Sequence, residues 1–316
     1  MALRLADRWI WDSWYVWEGE WCHAFYLCAS KGLSHPEERH RAPSIGHARS
    51  RDLMTWEVLP DALAPRHTPG FDSWSTWTGS TVHADDGTWW LFYTGSSRED
   101  GGLIQRIGAA TSSDLVTWQR VGAAPLVEAD PHWYELLDTS VWHDQAWRDP
   151  WVFRKPGSSR WSMLVTARAA EGEPRERAVV GYAESPDLRT WEVMPPLSQP
   201  GEGFGQYEVL QFVEVDGVPL LVFCCGYKEL GPARQASSPD IDTTYSVVCS
   251  SGLDGIDMST AVAFPGDAVY AGRVVQGPDG GWNLLGFIGY VDGTFVGEIS
   301  DPIPVTADPV RGLIPR

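Results

Sequence analysis

Five times along the chain, a turn is followed by a short run of alternating apolar and polar or small residues. The segments are EGEWCHAFYL (18–27), DDGTWWLFYTG (85–95), GSSRWSMLVTA (157–167), VDGVPLLVFCC (215–225) and PDGGWNLLGFIG (278–289). Each reads as the turn and second strand of an antiparallel meander, because period-two alternation after a Gly/Asp turn suits a half-buried strand. Helical periodicity is scarce. Only Pro131 to Leu137 reads as a short helical piece.

A second phrase recurs three times: RSRDLMTW (49–56), SSDLVTW (112–118) and SPDLRTW (185–191). Each follows a short strand ending in a small residue, namely IGHA, IGAA and VGYA. The Asp-Leu pair predicts a tight turn, and the Trp is expected to pack between neighbouring modules. The phrase persists while the intervals between its tryptophans change from 62 to 73 residues, which is the mark of stacked supersecondary units.

Five meanders in 316 residues predict an all-β fold, a five-bladed β-propeller. The rival is a β-sandwich with extra strands. The expectation is one domain over 1–316 without a C-terminal β-sandwich, with blades near 9–59, 74–121, 147–193, 206–250 and 269–305. Long connections fall at 62–73, 123–146 and 230–243 and are expected to be functional or mobile. The stretch from Lys228 to Asp242 is a candidate gate for the channel mouth.

Composition narrows the function. Of 316 residues, 18 are tryptophan, and the formal net charge is −18. That charge argues against nucleic acid and against an anionic membrane surface as partners, and suits a neutral or cationic small substrate. No run of 18 apolar residues exists, and the opening MALRLAD carries no signal-type apolar segment. The five cysteines, two of them adjacent, lack disulfide or zinc spacing and read as buried thiols of a cytoplasmic protein. His23 reads as a core histidine, and His47, His143 and Asp144 as loop-lining residues. No metal or cofactor is expected; the oligomeric state is left open.

The first strand of a propeller blade lines the central channel. Counting nine to twelve residues back from each turn-strand element lands on Asp12, Trp77, Asp149, Glu208 and Gly272. Three acids converging on an aromatic-lined channel mouth are costly unless chemistry or a cation requires them. Two carboxylates about a glycosidic bond are the minimum for a glycosidase, one ionised and one protonated. Arg148, next to Asp149, can fork onto a carboxylate or a hydroxyl. Tyr270 and Arg273 could close the pocket from the fifth blade.

The set WDSW, WTGS, RDP and a later isolated Glu resembles the five-bladed propeller glycosidases of families 32 and 68: invertases, fructanases and levansucrases. The recurring D-L-x-x-W phrase also resembles the related family 43 enzymes. The resemblance implies Asp12 as nucleophile, Asp149 as transition-state stabiliser with Arg148 beside it, and Glu208 as acid/base. It implies Trp11, Trp77 and Ser80 as sugar-subsite residues, with Trp9 and Trp14 left to packing. The chain has WDSW where family 32 usually has an N-D-P-N-G-type motif, and Val209 where a Cys usually follows the Glu. The expected activity is retaining hydrolysis of β-D-fructofuranosides such as sucrose or short fructo-oligosaccharides. The alternatives are fructosyl transfer, an inverting arabinofuranosidase-like hydrolase, and a sugar-binding propeller without turnover.

Overall fold

The computed structural model describes residues 3–266 and 269–316. Its strands fall into five consecutive sheets. The first holds β1 (Arg8–Glu18), β2 (Trp21–Ser30), β3 (Ser44–Ser50) and β4 (Trp56–Leu63). The second holds β5 (Ser75–His83), β6 (Trp89–Ser96), β7 (Gln105–Ser112) and β8 (Gln119–Arg120). The third holds β9 (Trp147–Arg154), β10 (Trp161–Arg168), β11 (Ala178–Ser185) and β12 (Glu192–Met194). The fourth holds β13 (Glu208–Val215), β14 (Val218–Cys225), β15 (Thr243–Val248) and β16 (Val262–Ala263). The fifth holds β17 (Tyr270–Gln276), β18 (Trp282–Val291), β19 (Thr294–Ile299), β20 (Ile303–Asp308) and β21 (Gly312–Pro315). Each sheet is an antiparallel meander in chain order, except that β19 pairs beside β18 off the main path of the fifth. The sheets are the blades of a five-bladed β-propeller.

The D-L-x-T-W phrase joins the third and fourth strands of the first three blades. In each copy the Asp carboxylate accepts two successive backbone N–H groups, at 2.7–2.9 Å: Met54 and Thr55 on Asp52, Val116 and Thr117 on Asp114, Arg189 and Thr190 on Asp187. A serine two residues earlier donates its hydroxyl to the same carboxylate. The following Leu is left-handed, with φ of 61°, 62° and 64° at Leu53, Leu115 and Leu188. That conformation costs about 1–2 kcal/mol per residue. Burying the leucine side chain, about 1.5–3 kcal/mol, offsets it; all three are buried. In the second and third copies the closing Trp meets the preceding blade edge-on: Trp118 contacts Phe25 and Trp191 contacts Phe92, at 5.7 and 5.5 Å between ring centroids, whereas Trp56 of the first copy lies 6.2 Å from Tyr15 of its own blade.

The core is a chain of clusters between adjacent blades. Leu164, Val180 and Tyr182 of the third blade, for example, pack with Leu210, Leu221 and Phe223 of the fourth. Gly46 and Gly108 sit where an added Cβ would lie 2.3 Å from the Tyr26 ring and 2.4 Å from the Phe71 ring, which explains the glycine in the short third strands.

The short helical elements are not where the sequence suggested. Among the described residues they are 3-10 turns at Pro36–Arg41, Pro174–Glu176, Tyr227–Glu229 and Met258–Thr260, and one α-helix, Pro232–Ser237. The stretch 131–137 is a turn instead, because tertiary pairing captures it. Tyr134 bridges to Ala169, and the Glu135 N–H donates to Arg168 O at 2.8 Å. Trp9 and Trp14 pack as expected, Trp9 against Phe295 and Trp14 against Phe25. His23 is a core histidine, its Nδ1 2.9 Å from His47 Nε2.

Replacing Asp114 by Ala leaves two backbone N–H groups without their carboxylate. Water can reach both groups, so we expect a loss of about 0.5–1.5 kcal/mol in thermal or denaturant unfolding. These hydrogen bonds hold Asp114 down at about 2, below its ordinary value. The stabilisation is therefore present above pH 4 and lost as pH falls toward 2. The difference between wild type and Asp114→Ala should shrink over that window.

Candidate active site

One feature recurs at the same depth in every inner strand: an extra residue. Trp11 faces Leu27 and Ser13 faces Tyr26, so Asp12 has no partner. Trp77 faces Thr94 and Gly79 faces Tyr93, leaving Thr78 over. The corresponding shifts occur between Arg148 and Trp151, Glu208 and Gln211, and Tyr270 and Arg273. These are β-bulges, which locally twist a strand and re-aim its side chains. Four of the bulge residues are left-handed: Asp12 (φ 26°), Asp149 (57°), Val209 (54°) and Ala271 (50°).

The bulges correct the register taken from the sequence. The equivalent bulge positions are Asp12, Thr78, Asp149, Val209 and Ala271. Glu208 belongs one residue earlier, with Trp11, Trp77, Arg148 and Tyr270. All five residues of that earlier ring, with Asp12, Thr78, Asp149 and Val209, line one pocket of about 560 Å³. Residue counting missed this because the number of residues between the bulge and the second strand differs from blade to blade, and only the strand pairing fixes it.

The acids are held from several blades. Asp12 Oδ2 accepts the Thr78 hydroxyl at 2.5 Å. Asp149 Oδ2 accepts the Thr166 hydroxyl at 2.8 Å and the Val209 N–H at 3.2 Å, while its own N–H donates to Thr94 Oγ1 at 2.9 Å. Arg148 donates to Glu208 Oε1 at 2.7 Å, to Gln105 Oε1 at 2.9 Å and to Gln206. Its Nε lies 3.7 Å from Asp149, and its Nη1 lies 3.5 Å from Asp144. Tyr270 donates its hydroxyl to the other Glu208 oxygen.

Crowding of like charge has consequences. Burial pushes Asp12 up to about 7, and the neighbouring Asp149 adds to it. Asp149 is also raised, by burial first, with the Arg148 guanidinium opposing. Burial, then Glu208, raises Glu229 to about 7. Burial works against the charge of Arg148, but Asp144, Glu208 and Asp149 outweigh it and hold the guanidinium well above its ordinary value.

The rim comes from connections between strands. The turn Pro36–Arg41 brings Glu37, Arg39 and His40; the segment before the third blade brings His143 and Asp144; the turn Tyr227–Glu229 brings Glu229. Trp77 fixes one side by donating its indole N–H to His40 O at 3.0 Å. Arg39 lies 4.7 Å over the Phe295 ring and 5.6 Å over Trp11, and bonds Glu37 at 2.9 Å.

The structure thus brings Trp11, Asp12, Trp77, Arg148, Asp149 and Glu208 together. Ser80 is not brought there. Its side chain is buried and accepts the Val152 N–H at 2.9 Å, tying the second blade to the third; Thr78, in the same WTGS, takes the pocket position. Of the stretch 228–242, only Glu229 lines the pocket. The helix Pro232–Ser237 docks outside it, with Arg234 4.1 Å over the Phe204 ring. Sequence reading also missed Gln206 and the turn at 36–41; Gln206 stands two residues before Glu208, but nothing marked the turn. Among the described residues, no group of three or more His, Cys, Asp and Glu is arranged to hold a metal ion. None of their helices is long and apolar enough to cross a membrane.

The profile for the Glycosyl hydrolases family 32 N-terminal domain matches residues 12–294. The chain belongs to this family. It is 36% identical over 115 residues to a 6(G)-fructosyltransferase of Asparagus officinalis, covering 31% of this chain and 18% of that protein. It is 29% identical over 174 residues to β-fructofuranosidase 1 of Zea mays, covering 54% of this chain and 24% of that protein. The family-32 chain therefore spans about a quarter or less of the length of these relatives. Among solved structures, the family 32 β-fructofuranosidase of Bombyx mori superposes with a TM-score of 0.76 at 19% identity, covering all of this chain and 64% of that one. The sucrose-6-phosphate hydrolase of Lactobacillus gasseri gives 0.74 at 19% identity, covering 97% of this chain and 60% of that one. At such identities these likenesses concern the fold.

Asp12→Asn should stabilise the ligand-free family-32 propeller at alkaline pH. A carboxyl raised from about 4 unfolded to about 7 folded favours folding while protonated, and loses that contribution as pH rises through 7. Asp12 is only half-buried, so solvent screens part of the cost. The expected gain is on the order of 1–2 kcal/mol at pH 8, vanishing near pH 4, read from Tm as a function of pH.

Proposed function

We propose that this chain is a retaining β-fructofuranosidase, acting on sucrose or short fructo-oligosaccharides. The observation that carries the reading is the meeting of Asp12, Asp149 and Glu208 in one aromatic-walled pocket of a family 32 chain. In this mechanism Asp12 attacks the anomeric carbon of the fructosyl unit, and Glu208 gives its proton to the departing oxygen. Water then attacks the fructosyl-enzyme while Glu208 takes the proton back. Asp149 and Arg148 hold fructosyl hydroxyls against the positive charge that develops on the ring. Trp11 and Trp77 offer apolar walls for the sugar.

The pocket lining carries six carboxylates against two arginines, Arg39 and Arg148, and each arginine is already bonded to an acid. That balance supports an uncharged sugar over a phosphorylated one, since like charges brought together cost several kcal/mol. The Asparagus match supports a second reading, transfer of the fructosyl unit to a sugar acceptor in place of water. The five buried, unpaired thiols support a reducing, cytoplasmic setting.

The test is turnover of sucrose, sucrose 6-phosphate, fructo-oligosaccharides and aryl arabinofuranosides, with the first-formed anomer read by NMR. β-Fructose released first from sucrose supports retention; the inverted anomer excludes the covalent route. Fructo-oligosaccharides longer than the substrate would identify transfer. Binding without any product would leave a sugar-binding propeller.

Asp12→Asn should cut kcat by more than about 10³-fold, and Glu208→Gln by about 10²–10⁴-fold, in proteins that fold normally. Because Asp12 must be ionised to attack, kcat/KM should rise with pH along a limb near 7, the value at which burial and Asp149 hold it.

A further inference from the structure

Arg273 lies outside the pocket lining, yet its side chain is fully buried in the propeller channel. It belongs to β17 of the fifth blade, and its guanidinium stands 4.7 Å over the Trp151 ring of the third. Those blades are not neighbours, so the side chain reaches across the channel. Its Nη1 donates to Val209 O at 3.2 Å and to Leu210 O, the two residues following Glu208. The Val209 N–H in turn donates to Asp149 Oδ2 at 3.2 Å. One guanidinium thus grips the fourth-blade bulge, which carries Glu208 on one side and clamps Asp149 on the other. Arg273 Nε and Nη2 are buried without hydrogen-bond partners among the described residues. Burying two guanidinium nitrogens without hydrogen bonds is expensive if packing alone were served.

We infer that Arg273 is a positioning residue: it tethers the bulge at Val209 and Leu210, and through that bulge it holds Glu208 and the Asp149 carboxylate in place. The inference rests on the glycosidase reading of the pocket. The groups facing one another here are Asp12, Asp149, Glu208 and Arg148 at the mouth, and Cys224 and Tyr15 around Arg273. Burial lowers Arg273 to about 10, which leaves it charged at neutral pH. Lysine would keep the charge but not the planar fork that bonds two carbonyls while stacking on an indole.

The test uses the full chain and sucrose, with Arg273→Gln and Arg273→Lys measured for kcat and KM across pH 4–9 and for folding by circular dichroism. Arg273→Gln should hold KM within about 3-fold and lower kcat about 10–100-fold, since a displaced bulge misplaces Glu208. It should also move the acidic limb of kcat/KM up by about one pH unit, because a cation near Asp12 and Asp149 is gone. Arg273→Lys should leave that limb in place and recover part of kcat. A folded Arg273→Gln protein whose pH profile superimposes on wild type would overturn the inference and leave a packing role. If the Gln variant does not fold, the Lys variant decides, and wild-type kcat in it would overturn the tether. If unmodified protein turns over no fructoside, the glycosidase reading fails on its own. The inference is then read from NMR titration of the Asp12 and Asp149 carboxyls, which should shift upward in Arg273→Gln and would refute it by staying put.

Discussion

The site depends on one repeated irregularity, the bulge at a fixed depth of each inner strand. A regular strand points alternate residues to opposite faces, so it cannot turn two successive side chains toward the same mouth. The extra residue allows this. Trp11 and Asp12, Trp77 and Thr78, Arg148 and Asp149, and Glu208 and Val209 all line the pocket as consecutive pairs. The left-handed φ at Asp12 and Asp149 is the local cost, of the kind that persists where surrounding structure over-determines it.

That surrounding structure is a set of hydrogen bonds from blade to blade at the bulge level. Thr78 of the second blade holds Asp12 of the first, Thr94 of the second holds the Asp149 N–H of the third, and Val209 of the fourth holds its carboxylate. Arg273 links the fifth to the fourth. Blade packing and site geometry are therefore one problem: a rotated blade would displace a carboxylate. The outer D-L-x-T-W turns serve the same end from the rim, since Trp118 and Trp191 meet the preceding blade and fix its spacing.

Electrostatics runs against stability here. Acids with few cations among them, buried together, favour protonation in the empty pocket, as the raised values of Asp12, Asp149 and Glu229 indicate. Such a site is poised toward ligands that replace lost water with hydroxyl donors. The free protein bears the repulsion, which is the familiar opposition between a functional pocket and a stable one.

The sequence by itself determined the blades, because period-two alternation and turn residues are local signals that need no partner. It also determined the interlocking turn, since Asp52, Asp114 and Asp187 bond backbone groups only two or three residues away. Asp12, Trp77, Asp149 and Glu208 were legible as candidates by their spacing before each hairpin, Arg148 by its place beside Asp149, and Trp11 through the family resemblance. Tertiary structure alone decided the register: the bulges are visible only when a strand is paired, so Glu208 was counted level with Asp12 though it stands level with Trp11. It also decided which residues leave the site, as Ser80 does toward Val152, and which enter it from distant connections, as Glu37, Arg39 and Glu229 do. Long-range contacts set those choices, and no local pattern records them.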